Sequence, residues 1–123
     1  MRKVILISPD DTVVHLLKSN SQFLNIEPEV ICCSADILNQ MKQSSPELLI
    51  IDFILNDDNG GTLCHQIKSD NELHDLPIIL LSEYTSLDPI SAKFGCSNVI
   101  TKPVNLHELK ETINNLLQPQ AVH

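Results

Sequence analysis

Aromatic residues are scarce, with no tryptophan, one tyrosine and three phenylalanines, 3% of a chain of 123 residues. Little is left to stack on a flavin ring. Only three glycines occur, and no glycine-rich loop follows any apolar run, so a nucleotide or flavin phosphate finds no cradle of backbone amides. Basic residues are outnumbered, eight Lys and Arg against sixteen Asp and Glu, for a net charge of −8. Such a surface repels phosphate backbones and anionic lipid, which excludes nucleic acid and the membrane as direct partners. Long hydrophobic runs are missing too. The opening MRKVILIS places four apolar residues before Ser8 and Pro9, too few for a signal peptide core or a membrane span, and the expectation is a cytoplasmic chain. In that compartment Cys32, Cys33, Cys64 and Cys96 read as reduced, buried thiols.

What is present is a globular composition, 42% hydrophobic and 20% charged, of one-domain length and without repeat or linker. Five short apolar runs recur: Val4 to Ile7, Val30 to Cys33, Leu48 to Ile51, Ile78 to Leu81, and Val99-Ile100. They are rich in Ile, Val and Leu without polar alternation, the pattern of parallel strands covered on both faces. Amphipathic stretches lie between them. The first helix starts near Asp11 or Thr12 and turns Val13, Leu16 and Leu17 inward. Ser34 caps a second that runs through Met41, and Thr62 caps a third. Asn105 and Glu108 form a capping box for the last, with Val104 and Leu109 as a hydrophobic staple. Pro89 breaks any helix begun before Asp88, which leaves Glu83 to Phe94 poorly specified.

This alternation predicts an α/β fold, a flavodoxin-like doubly wound five-stranded parallel sheet of order 2-1-3-4-5. Its ligand crevice lies at the carboxyl ends of the strands, between the first and third. The residues there are Ser8, Pro9, Asp10 and Asp11 after the first run, Asp52 after the third, Ser82 after the fourth and Lys102 after the fifth. A carboxylate ending the run LLII is costly to bury unpaired, so Lys102 is its expected partner. A plain ion pair closing the sheet edge is the competing reading.

With these residues in place the chain resembles the receiver domains of bacterial two-component response regulators, over residues 2 to 117. The most specific stretch is PELLIIDFILNDDNGGTLCHQIK, Pro46 to Lys68. The resemblance implies a receiver domain over 1–118 followed by a flexible tail over 119–123. It implies a signalling module rather than an enzyme, with Asp52 accepting a phosphoryl group from a histidine kinase or phosphotransfer protein and an output protein as second partner. Ser82 then matches the hydroxyl that contacts the phosphoryl group, and Lys102 in ITKP the lysine that pairs with it, with a cis Lys102-Pro103 bond. Mg²⁺ is the implied cofactor, held in the family largely by two acidic residues ending the first strand.

The chain departs from that pattern. Ser8 and Pro9 fill the acidic-pair positions, leaving Asp52 and Lys102 to cancel, so weak Mg²⁺ binding is expected. Asp10 and Asp11 lie close by and supply a substitute metal ligand next to Asp52, Asp10 first, only if the strand end slips; capping the first helix is their favoured role. Glu83 replaces a small residue and either blocks entry or lends the missing carboxylate. Val99 replaces the switch aromatic. These departures keep open a second function, a degenerate receiver that binds partners without phosphoryl chemistry. Two weaker signals fall away. Asn56 to Gly60 lacks the acids of a calcium loop, and His15, His65, His74, His107 and His123 show no metal spacing.

Overall fold

The central strands form where the chain is most uniformly aliphatic. In the computed structural model, which describes residues 2–31, 36–55, 60–83 and 96–117, they are β1 (Arg2–Ile7), β3 (Leu48–Asp52) and β4 (Ile78–Ser82). The edge strands are β2 (Ile26–Val30) and β5 (Asn98–Thr101). All neighbours are parallel, in the order β2-β1-β3-β4-β5. The helices are α1 (Asp11–Ser19), the single turn α2 (Ser21–Leu24), α3 (Ile37–Ser44), α4 (Gly60–Lys68) and α5 (Leu106–Leu117).

Because side chains alternate across a strand, the two faces of the sheet build separate cores. Val4, Leu6, Leu48, Ile50, Ile79, Leu81 and Ile100 pack with Val13 and Leu17 of α1, Leu24 of α2 and Leu109 and Ile113 of α5. Ile5, Ile7, Leu49, Ile51, Ile78 and Leu80 pack with Ile37 and Met41 of α3 and Leu63, Cys64 and Ile67 of α4. This parity determines which face each strand-end residue shares.

Several sequence expectations shift. The second strand runs over Ile26–Val30, earlier than the expected Val30 to Cys33, of which Cys32 and Cys33 lie outside the described residues, and Ile31 donates its N–H to the Leu6 carbonyl at 3.0 Å. As an edge strand it needs no continuous apolar run, and its Glu27, Pro28 and Glu29 suit an edge that solvent reaches. The third expected helix begins at Gly60, so Thr62 lies inside it rather than at its cap. The helix expected to stop at Met41 continues to Ser44 and ends at Ser45, whose φ is 51°. Ser34, Cys32, Cys33, the turn read over 56–59, the weakly specified stretch beyond Glu83 and the 119–123 tail lie outside the described residues. The last helix is as expected, with the Glu108 N–H donating to Asn105 Oδ1 at 3.0 Å.

Gly60 carries a constraint that its neighbours do not. Its N–H donates to the Phe53 carbonyl at 2.7 Å, starting α4 directly over the end of β3. A Cβ there would overlap the Asp52 carbonyl oxygen. Gly60→Ala is therefore expected to destabilise by about 1–3 kcal/mol, despite alanine's better helix propensity, because backbone rather than a flexible side chain must move. Urea denaturation reads this; a variant as stable as the parent would mean that the close approach carries no weight.

Candidate functional site

Three strand ends deliver their polar residues to the same face. Ser8 follows Leu6, Asp52 follows Ile50 and Lys102 follows Ile100 in the two-residue alternation, so all three emerge on the side of α1 and α5. The β1–β3 register ends with Ile7 opposite Ile51, and Ser8 and Asp52 come one step later. Ser8 Oγ donates to Asp52 Oδ2 at 2.9 Å, and Lys102 Nζ donates to the same oxygen at 2.5 Å. Asp52 is 3% exposed. The pairing expected from the sequence is present, and the bond between Lys102 and Pro103 is cis.

Asp10 joins this cluster without giving up its helix cap. With φ −89° and ψ 106° it sits in extended backbone before α1, and its Oδ1 accepts from the Thr12 N–H at 3.0 Å. Its other oxygen, Oδ2, accepts from Lys102 Nζ at 3.0 Å. Its own N–H donates to Ser8 Oγ at 3.0 Å, so backbone, hydroxyl and buried carboxylate form one chain of hydrogen bonds. The helix-capping role weighed from the sequence is thus filled by Oδ1, while Oδ2 faces Lys102 beside Asp52. The expected charge balance is corrected accordingly, because two carboxylates face one ammonium and the cluster is net negative rather than neutral.

The remaining residues surround this centre. Ser82 is buried at the end of β4, alternates with Ile78 and Leu80, and accepts the Lys102 backbone N–H on its carbonyl at 2.7 Å. Glu83 is exposed and lines a cleft of about 450 Å³ with Asp10, Thr12, Leu16, Lys102 and Val104. The second carboxylate on Lys102 comes from Asp10, while Glu83 stands at the rim. Pro9 is exposed between Ser8 and Asp10, and Val99 packs half-buried against the core on the α3 and α4 side. Sequence reasoning missed Gly60, whose contact with the Asp52 backbone joins positions with no local pattern in common.

The hydrogen bond from Lys102 holds the Asp10 carboxyl below its ordinary range, helped by the Thr12 N–H and opposed by burial. For Lys102, burial pulls the ammonium's pKa down, and the hydrogen bonds and charges of Asp52 and Asp10 together outweigh it, leaving it raised. Among the described residues no group of three or more His, Cys, Asp or Glu is placed to hold a metal, and no helix is long and apolar enough to cross a membrane.

The class defined here is a doubly wound parallel sheet with a paired carboxylate and lysine at its switch point, and the comparisons narrow it. Residues 4–114 match the family model described as the response regulator receiver domain, and the chain belongs to that family. It is 24% identical over 115 residues to the regulatory protein LuxO of Vibrio vulnificus, covering 92% of this chain and 25% of LuxO. It is 26% identical over 119 residues to the transcriptional regulatory protein GltR of Pseudomonas aeruginosa, covering 95% of this chain and 49% of GltR. The chain therefore spans a quarter to a half of these relatives. The response regulator TrrA of Thermotoga maritima, solved with Mg²⁺ and BeF, superposes with a TM-score of 0.82 at 22% identity, over 95% of this chain and all of that one. The fold is that of a receiver domain, and the family's place is in two-component signalling.

Two predictions follow from the ion cluster. Lys102→Met strands the buried Asp52 carboxylate and should cost about 3–5 kcal/mol, whereas Asp52→Asn with Lys102→Met should cost less than Lys102→Met alone. Additive single effects in a denaturation series would show that the two side chains do not interact. Asp10, with its pKa lowered on folding, contributes stability that is complete above its unfolded value and is lost as pH falls through the folded one. Lys102, with its pKa raised, contributes below the ordinary lysine value and loses this as pH rises through the folded one. The stability gap between the parent and Asp10→Asn, of order 1 kcal/mol at neutral pH, should close below about pH 4. A gap unchanged down to pH 2 would mean that Asp10 makes no ionic contribution.

Proposed function

We propose that Asp52 accepts a phosphoryl group from the phosphohistidine of a histidine kinase or phosphotransfer protein, and that the change is passed to an output protein. The observation that carries this reading is the buried Asp52 carboxylate, held among the described residues by Ser8 and Lys102 through Oδ2. That arrangement leaves attack on phosphorus to Oδ1. The P–N bond breaks as the O–P bond forms, and the imidazole leaves with its electron pair. Lys102 turns from the carboxylate toward the phosphoryl oxygens, Ser82 supplies a hydroxyl at the same edge, and Ser8 keeps the carboxylate oriented.

The donor set suits Mg²⁺, which takes one or two carboxylates and completes its shell with water and phosphate oxygens. Asp10 and Asp52 are the residues that would hold it, with Ser8 as a neutral oxygen beside them. Bound there, the ion supplies positive charge against the phosphoryl oxygens. Lys102 must release both carboxylates for this, so weak metal binding remains the expectation. Residues 1–118 act as the module in this reading, in the cytoplasm. The net charge of −8 favours a protein rather than nucleic acid or an anionic bilayer as direct partner.

The second reading, a degenerate receiver acting as an interaction module, draws on one observation. Lys102 already satisfies both carboxylates, so the resting cluster is complete without metal or phosphate.

Incubation with Mg²⁺ and acetyl phosphate, followed by intact-mass and peptide analysis, separates the two. The first reading expects one phosphoryl addition on Asp52, absent in Asp52→Asn. Asp10→Asn should raise the Mg²⁺ concentration for half-modification roughly tenfold, the effect of about 1.4 kcal/mol. No addition at any Mg²⁺ concentration leaves the interaction module.

A further inference from the structure

At the end of the sheet opposite the ion cluster, where β3 and β4 begin, a cleft of about 430 Å³ opens between the last turn of α3 and the loop that leads from α4 into β4. Its floor is apolar. Met41 of α3 and Leu73 and Leu76 of the loop are buried there, with the half-buried rings of Pro46 and Pro77 beside them. The loop wall is tightly pinned. Asp70 Oδ2 accepts the N–H groups of Glu72 at 2.9 Å and Leu73 at 3.1 Å, and the His74 N–H donates to the Asp70 carbonyl at 3.0 Å. Lys68 Nζ donates to the carbonyls of His74 at 3.1 Å and Leu76 at 2.5 Å, while Lys42 Nζ pairs with Asp70 Oδ1 at 3.0 Å and joins α3 to the loop. A wall held in this way loses little freedom when a ligand arrives.

Those contacts occupy the local cations. Glu47, Glu72 and Asp75 also line the cleft, and among the described residues no Lys or Arg lies within ion-pair distance of any of the three. Glu47 Oε2 accepts the Lys3 backbone N–H at 3.0 Å, which fixes its carboxylate without neutralising it, and Asp75 meets the His74 ring at 3.4 Å. The carboxyl end of α3, the negative end of its dipole, closes at Ser45 on the cleft wall. An apolar floor under a negative rim complements arginine, which covers apolar surface with its methylene stem and presents a planar, weakly hydrated cation to carboxylates.

We propose that this cleft is a docking site for an arginine-bearing segment of a partner protein, the stem lying on Met41, Leu73 and Leu76 and the guanidinium met by Glu47, Glu72 and Asp75. The same rim repels nucleic acid and anionic lipid, so the partner is a protein. The site is separate from the phosphoryl chemistry, because the whole of β3 lies between Glu47 and Asp52 and a partner seated here leaves Asp52 open to its donor.

The test follows the backbone amides of the isotope-labelled full chain by NMR during titration with the peptide acetyl-Gly-Leu-Arg-Gly-amide, and with its citrulline counterpart, which keeps the shape of arginine without the charge. The arginine peptide is expected to give saturable shifts at Ser45, Glu47, Glu72, Leu73, Asp75 and Leu76, with Ser8, Asp52 and Lys102 unmoved, and the citrulline peptide none. Glu47→Gln with Glu72→Gln should weaken the arginine peptide about fivefold through the loss of two exposed ion pairs. Glu27→Gln with Glu111→Gln, an equal loss of charge at exposed positions elsewhere, should leave it unchanged. The mapping on the parent chain stands without either variant. Shifts scattered over the acidic surface, equal shifts with citrulline or no saturable shift overturn the proposal. So does movement of the same amides with protein concentration in the absence of peptide, which would place a second copy of the chain in the cleft.

Discussion

Burying a carboxylate at the end of a central strand is the constraint from which the site is built. Asp52 closes a run in which all five residues are buried, and a lone ionised carboxylate there would cost several kcal/mol. Lys102 and Ser8 meet that cost on a single oxygen. For both to reach it, Ser8 and Lys102 must share its parity, which the parallel registers achieve: Ser8 follows Ile7 as Asp52 follows Ile51, and Lys102 comes two residues after Ile100, which lies level with Asp52 through Leu81. The long lysine spans the remaining gap, since β4 lies between β3 and β5. The packing of α1 and α5 against that face therefore follows the same alternation that aims the polar residues.

Although Ser8 and Pro9 follow the first strand, a second carboxylate reaches the site from within the chain. Asp10 lies two residues beyond Ser8, outside the strand, where extended backbone lets its carboxylate face both ways. One oxygen closes the first turn of α1 and the other meets Lys102, so helix start and site share a side chain. This coupling makes the resting cluster self-contained. Any ligand that recruits the carboxylates must compete with an ammonium already between them, which sets affinity lower than two carboxylates alone would suggest.

The two sheet faces carry different chemistry. The face of α1, α2 and α5 holds the ions, while that of α3 and α4 holds the buried Cys64 thiol. They meet in β5, which begins two residues after Cys96 and ends one residue before Lys102.

Much of this was legible without coordinates because it is periodic or local. Aliphatic runs identify β1, β3 and β4, since a strand covered on both faces excludes polar residues, and Asn105 with Glu108 marks a helix start within four residues of chain. Asp52, Ser82 and Lys102 were visible as the polar residues ending such runs. The second strand was misplaced because an edge strand is exempt from that rule and carries IEPEV. What only the tertiary structure decided depends on distant backbone meeting in space. Gly60 over the Asp52 carbonyl, and Asp10 serving helix and lysine at once, join positions whose separation along the chain says nothing of their contact. Hydrophobic alternation determines which face a residue joins, but the twist and level of neighbouring strands decide what it touches.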